Sequence, residues 1–263
     1  MGVVDLGGFV EELATVSGQA ILPFFRASFG TEDKAAGTAR GFDPVTEADR
    51  AGEAAMRRLI RQTFPDHGIL GEEFGAEATD AEYVWVLDPI DGTRAFIAGL
   101  PLWGTLIGLT RGGVPARGLM HQPFTGERFT GDGAQATWRG PGGQRKLMTR
   151  RCGGLDEALL CTTSPKLFEG AEAAAYERIE SEVRLARYGT DCYAYCMLAA
   201  GHVDLVVEAG LQPYDIVALI PIVEGAGGVV TDWDGNPAAG GGRVVAAGDK
   251  RLHEAALARL RAA

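Results

Sequence analysis

The stretch "WVLDPIDGT" (85–93) constrains this chain most, because it ends an apolar run on two aspartates three residues apart. A short run of aromatic and branched residues reads as a buried strand. Pro89 and Gly92 stop it, and Gly92-Thr93 reads as a turn into a helix. Strand ends that feed helix starts are where layered α/β folds gather ligand groups. Asp88 and Asp91 belong to one such end, and Glu72 and Glu73 follow the short strand in "HGILG". Asp215 opens a later apolar helix behind Pro213. Each acid has a structural use when taken alone: Asp215 as a cap, Asp91 as a turn residue, Asp49 as half of a capping box with Thr46. Taken together they need a cation, because clustered carboxylates repel and resist burial. Oxygen donors with no His or Cys nearby select Mg²⁺ or Mn²⁺ over zinc.

A helix starting at Gly92-Thr93 would aim free N–H groups at an anion beside those cations. Carboxylates for metal next to amides for an anion describe a phosphate-ester site. Thr93 and Glu72 are then the natural pair to orient a water and take its proton. A carboxylate-based glycosidase would also use paired acids, but it leaves the Gly-Thr helix start without a purpose.

Periodicity predicts helices over 8–25 and from "DPVTEADR" (43–50) to Phe64, then short strands at 68–70 and 83–87. Residues 103–139 read as a β meander with Gly-rich turns. Beyond it, strands are expected near 158–162, 183–187, 204–208, 229–233 and 244–247, with helices at 166–182, 191–200, 214–225 and 249–262. The Gly- and Arg-rich segment 141–154 suggests two lobes, 1–142 carrying most metal ligands and 143–263 carrying Asp215 and the specificity residues. The class is mixed α/β.

A net charge of −10 argues against general nucleic-acid binding. No apolar run approaches the ~20 residues of a membrane span, and the longest, Ile216 to Val223, contains Pro221. Four cysteines without a CxxC pair, and a start without a basic segment, lead us to expect a reduced, cytoplasmic enzyme.

These motifs resemble the inositol monophosphatase family of Mg²⁺-dependent phosphatases. The resemblance rests on "DPVTEADR" (43–50), "GEEFG" (71–75), "WVLDPIDGT" (85–93) and "GLQPYDIVALIPIVEGAGGVVTDWDG" (210–235), which span nearly the whole chain. It implies a layered α-β-α-β-α sandwich, a homodimer, and two to three Mg²⁺ per site, with Mn²⁺ as a substitute. Glu72, Asp88, the Ile90 carbonyl, Asp91 and Asp215 would ligate metal, and Asp49 would serve a weaker third ion. Gly92 and Thr93 would meet phosphate, while Gly189, Thr190, Asp191, Glu208 and Asp215 would face the rest of a small phosphorylated substrate. Lys34 and Arg40 are the only counterparts of a lysine that the family places before its D-x-V-T motif.

"RYGTDCYAY" (187–195) and "PYD" (213–215) resemble the histidinol-phosphate phosphatase branch. An acid at Asp191, joined by Glu208, suits a cationic leaving group better than a neutral polyol. Inositol 1-phosphate, a sugar phosphate or adenosine 3′,5′-bisphosphate is the alternative substrate. A catalytically silent metal- and phosphate-binding regulator is the alternative of another class.

Overall fold

Residues 5–27 and 44–261 are described by the computed structural model. Lys34 and Arg40 lie outside them. In chain order the elements are α1 (Leu6–Ile21), α2 (Pro44–Thr63), β1 (Gly68–Gly71), β2 (Gly75–Glu77), β3 (Tyr83–Asp91) and α3 (Thr93–Ile97). The meander follows as β4 (Gly104–Arg111), β5 (Val114–Gln122), β6 (Glu127–Gly131), β7 (Ala136–Gly140) and β8 (Gly143–Lys146). The second half comprises β9 (Leu159–Thr162), α4 (Ala171–Glu180), β10 (Leu185–Tyr188), α5 (Asp191–Ala199) and β11 (Leu205–Leu211). It closes with α6 (Pro213–Ile216), α7 (Leu219–Gly225), β12 (Val229–Asp232), β13 (Gly242–Ala247) and α8 (Lys250–Leu260).

The strands form two sheets, ordered β2-β1-β3-β4-β5-β6-β7-β8 and β10-β9-β11-β13-β12. Helices α1 and α2 bury Phe9, Leu13, Met56 and Ile60 against Trp85, Leu87, Ile107 and Leu119 of the first sheet. Its other face, through Leu106, Met120 and Phe129, packs on α5 and α7, which also cover Val206 and Val244 of the second sheet. Leu205, Val207 and Val245 point the opposite way and pack on α4 and α8. This alternation is the period of two that a strand between two layers requires. The order of layers is α-β-α-β-α, as the resemblance implied.

Glycine sets one spacing in this stack. Gly108, Gly118 and Gly131 are partners across β4, β5 and β6 and form a row over three strands. A Cβ on Gly108 would meet Val217 Cγ1 at 2.7 Å, and one on Gly131 would meet Ile222 Cα at 2.5 Å. A Cβ on Gly118 would collide with the Ala218 carbonyl. Residues 217–222 thus lie in a trench where helix backbone touches sheet backbone.

Several boundaries depart from expectation. The first helix stops at Ile21, because Pro23 falls in a separate short turn, Leu22–Phe24. The helix expected over 214–225 is two pieces, since Pro221 has no N–H to offer the carbonyl four residues earlier. The one expected over 166–182 begins only after Gly170, at φ 54°. Thr46 is not a cap: α2 already includes Pro44, which suits a first helical turn. The 142/143 division falls in the turn between β7 and β8, so the first sheet runs on to Lys146.

Candidate active site

Strand β3 ends irregularly, and this is what gathers the acids. In a regular strand Asp88 and Asp91 would point to opposite faces. The pairing of β3 with β4 instead slips between these two residues. Pro89 offers no N–H there, its carbonyl accepts from Thr105 Oγ1 at 2.8 Å, and the Ile90 N–H turns back to Asp88 Oδ1 at 3.0 Å. The bulge brings both carboxylates to one cluster.

Donor oxygens of Asp88, Asp91 and Asp215 lie within 4.8 Å of one another, as do those of Asp49, Glu72 and Asp88. Asp88 belongs to both groups and is nearly buried, at 2% exposure. Asp215 is held by the Gln212 N–H at 2.7 Å, which ties its carboxylate to the start of α6. Asp91 accepts from the Cys192 N–H at 2.6 Å, across 101 residues of chain. The Ile90 carbonyl accepts from Thr93 Oγ1 at 3.3 Å.

Burial, then the negative charges of Glu72, Asp91, Asp215 and Asp49, push Asp88 well above the usual carboxylate range. Burial, then Asp191 and Asp215, do the same to Asp91. Loss of water raises Glu72 and Asp215 as well. Such a cluster is unfavourable alone and becomes favourable around a cation. All-oxygen donors with mutual repulsion therefore fit a hard divalent metal.

A small cleft opens beside these acids and includes Asp91, Asp191, Glu208 and Asp215 in its wall. Glu208 on β11 accepts from the Thr163 N–H at 2.7 Å, Thr163 Oγ1 at 3.0 Å and Thr162 Oγ1 at 3.2 Å. Burial still holds its carboxyl at about 7. Asp191 begins α5 at φ 42°, a left-handed conformation that Asp tolerates better than most residues. Burial raises its pKa, while Thr163 and the positive charge of Arg94 oppose the rise. Arg94, which had no role in the sequence, thus acts electrostatically on Asp191.

Gly92 adopts φ 86°, and a Cβ on it would meet the Leu102 carbonyl at 3.0 Å, so the turn after β3 needs glycine. Helix α3 has only five residues, too few for much dipole. Any anion here would rest on the turn's amides and neighbouring cations. Thr93 bonds to Ile90 and not to Glu72 among the described residues. Gly189, at φ 71°, is tied to the Thr162 and Thr163 carbonyls at 3.2 and 2.9 Å and leads through Thr190 into Asp191.

Thr163 and Tyr195 line the cleft and were not foreseen. Thr163 follows the end of β9, a strand-end position whose signal in "CTTSP" was available. Tyr195 lay within an apolar helix, where it reads as packing.

The profile of the inositol monophosphatase family matches residues 6–263. The chain is 46% identical over 257 residues to the chloroplastic bifunctional phosphatase IMPL2 of Arabidopsis thaliana, covering 93% of this chain and 72% of that one. It is 35% identical over 243 residues to the histidinol-phosphatase of Mycobacterium tuberculosis, covering 90% and 92%. Among solved structures, an inositol monophosphatase from Zymomonas mobilis superposes with a TM-score of 0.87 at 43% identity, covering 97% of each chain. The chain therefore belongs to the inositol monophosphatase family, a family of metal-dependent phosphatases.

Proposed function

We propose that this protein is a Mg²⁺-dependent phosphomonoesterase that hydrolyses L-histidinol phosphate to L-histidinol and phosphate, a step of histidine biosynthesis. The observation that carries the substrate choice is the pair Asp191 and Glu208, two acids in the cleft that adjoins the ligand cluster. Histidinol carries an amine and an imidazole, and a charge-assisted hydrogen bond to Asp191 would orient it. The histidinol-phosphatase of Mycobacterium tuberculosis, at 35% identity, supports the same choice.

Asp88, Asp91, Asp215, Glu72 and the Ile90 carbonyl would hold Mg²⁺ or Mn²⁺, two to three ions per site, with Asp49 serving the weakest. The ions would supply charge neutralisation and make a bound water more acidic than bulk water. In this reading, amides of Gly92 and Thr93 meet phosphate oxygens, while Thr93 and Glu72 orient a water. Glu72 takes a proton from that water as its oxygen bonds to phosphorus. The bond from phosphorus to the alcohol oxygen breaks in line, and the leaving oxygen gains a proton from solvent. Gly189 and Thr190 shape the wall next to Asp191. All four cysteines are free and buried, which supports the reducing, cytoplasmic setting expected from the sequence. The homodimer is part of this reading and is checked by sedimentation.

The second reading, an inositol phosphatase, is favoured by the 43% identity to the Zymomonas mobilis protein. Initial rates with Mg²⁺ on L-histidinol phosphate, inositol 1-phosphate and adenosine 3′,5′-bisphosphate separate the readings. The highest kcat/KM is expected on L-histidinol phosphate. A preference for inositol 1-phosphate would replace the substrate, and no phosphate release from any of them would leave a silent binding protein.

A further inference from the structure

Glu53 and Arg57 lie on α2, one turn apart, outside both groups of candidate metal ligands. Glu53 is fully buried, at 0% exposure, and Arg57 nearly so at 3%. Glu53 Oε1 accepts from Arg57 Nε at 2.6 Å and from the Phe74 N–H at 3.3 Å, and Oε2 accepts from the Glu73 N–H at 2.7 Å. Arg57 then reaches past the turn to the Gly75 carbonyl and to Glu77 Oε2, the latter at 3.3 Å. A Cβ on Gly71 would overlap the Glu53 carboxylate, so the carboxylate lies directly beneath the turn between β1 and β2.

That turn carries Glu72. Its own N–H bonds to the Leu87 carbonyl at 3.2 Å, one residue before Asp88. The two amides that follow Glu72 are those that Glu53 binds. The backbone on both sides of Glu72 is therefore fixed, although Glu72 itself is exposed. A buried ion pair is costly to desolvate and rarely adds net stability over apolar packing. An exposed three-residue hairpin turn has no need of one for folding. Orienting a side chain that must meet Asp88 and Asp49 does require it.

We infer that Glu53 and Arg57 are positioning residues, which clamp the Gly71–Gly75 turn and so aim the Glu72 carboxylate at the metal cluster. The inference rests on the reading of Glu72 given above. Groups that orient ligands cost about 10–100-fold in activity or metal affinity when removed.

The test is a double-mutant cycle on kcat with Glu53→Gln, Glu72→Gln and the double variant, together with calorimetric titration of Mn²⁺ alone into each. Glu53→Gln should lower kcat and weaken Mn²⁺ binding by at least about tenfold, with substrate KM little changed. In the Glu72→Gln background it should cost almost nothing further, because it acts only through Glu72. Asp204→Asn is the control, since Asp204 is a buried acid paired with Arg150 at 2.5 Å away from the site. It should lower the melting temperature without lowering kcat. If Glu53→Gln does not fold, Arg57→Lys carries the same cycle, because it keeps the charge and removes the fork to Gly75 and Glu77. Losses that simply multiply with those of Glu72→Gln, or unchanged Mn²⁺ binding, overturn the clamp while leaving Glu72 in its role. A fully active Glu72→Gln overturns that role, and the clamp with it.

Discussion

The Cys192 amide meets Asp91 Oδ2 at 2.6 Å, which fixes the start of α5 against the end of β3. Asp191, one residue earlier, is thereby held beside the acidic cluster at a positive φ of 42°.

Asparagine is the right probe at this position, since it tolerates the left-handed conformation that alanine does not. Asp191→Asn keeps a neutral acceptor and removes the charge, so it should lower kcat/KM for L-histidinol phosphate by roughly 5–13-fold, the ~1–1.5 kcal/mol that separates a charged from a neutral hydrogen bond. Turnover of inositol 1-phosphate or p-nitrophenyl phosphate should change little. Equal losses on cationic and neutral esters would remove the specificity argument.

Metal removal has an expected sign for stability as well as for activity. Phosphate release should need Mg²⁺ or Mn²⁺ and vanish with EDTA. Asp88→Asn should abolish most activity, yet its metal-free form should melt higher than the metal-free wild type, because a buried repelling charge has gone. A gain of about 1 kcal/mol corresponds to roughly 2–4 °C in a chain of this size. Added Mg²⁺ should raise the melting temperature of the wild type more than that of the variant. Full activity in metal-free buffer would end the mechanism proposed above.

Water activation predicts non-additivity. Thr93→Ala and Glu72→Gln should each lower kcat by about 10²-fold or more, and the double variant should lose little beyond the worse single one. Asp49→Asn should cost less. A loss of only about threefold in Thr93→Ala would be too small for this role.

The cluster of acids was legible in the sequence because several carboxylates gathered at strand ends and helix starts need a common cation, although each alone has a structural use. Asp88, Asp91, Asp215, Glu72 and Asp49 did assemble. The α-β-α-β-α order was legible through the resemblance, and strands such as β11 through their apolar pattern. Strands β2 and β8 were not, since every residue in them is exposed and no alternation marks them. Breaks at Pro23 and Pro221 could have been read from the missing N–H groups. The strand-end position of Thr163 was legible too, whereas Arg94 was not, since its effect is on Asp191, 97 residues along the chain.

His121 offers a pH test away from the catalytic residues. It is buried, and its Nδ1 lies 3.0 Å from the Glu127 carbonyl. Burial lowers its pKa from 6.5 to about 4, and the charges of Arg128 and Arg139 add to this. Between those values the unfolded chain binds more protons than the folded one, so stability falls as pH drops through this window. The full loss is about 3 kcal/mol, reached below the folded value. Denaturant unfolding from pH 7 to pH 4 should show a shallower decline for His121→Gln than for the wild type. Parallel curves would sink the assignment.

The glycine trench under residues 217–222 also has a consequence for the ligand set. Asp215 sits two residues before that segment, so the thickness of the sheet at Gly108, Gly118 and Gly131 acts as a gauge for how far Asp215 stands from Asp88 and Asp91. A single methyl group in the trench would act as a shim, lifting the helix and spreading the three carboxylates. The spacing of the three carboxylates at the mouth of the fold is thus tied to the absence of side chains deep inside it.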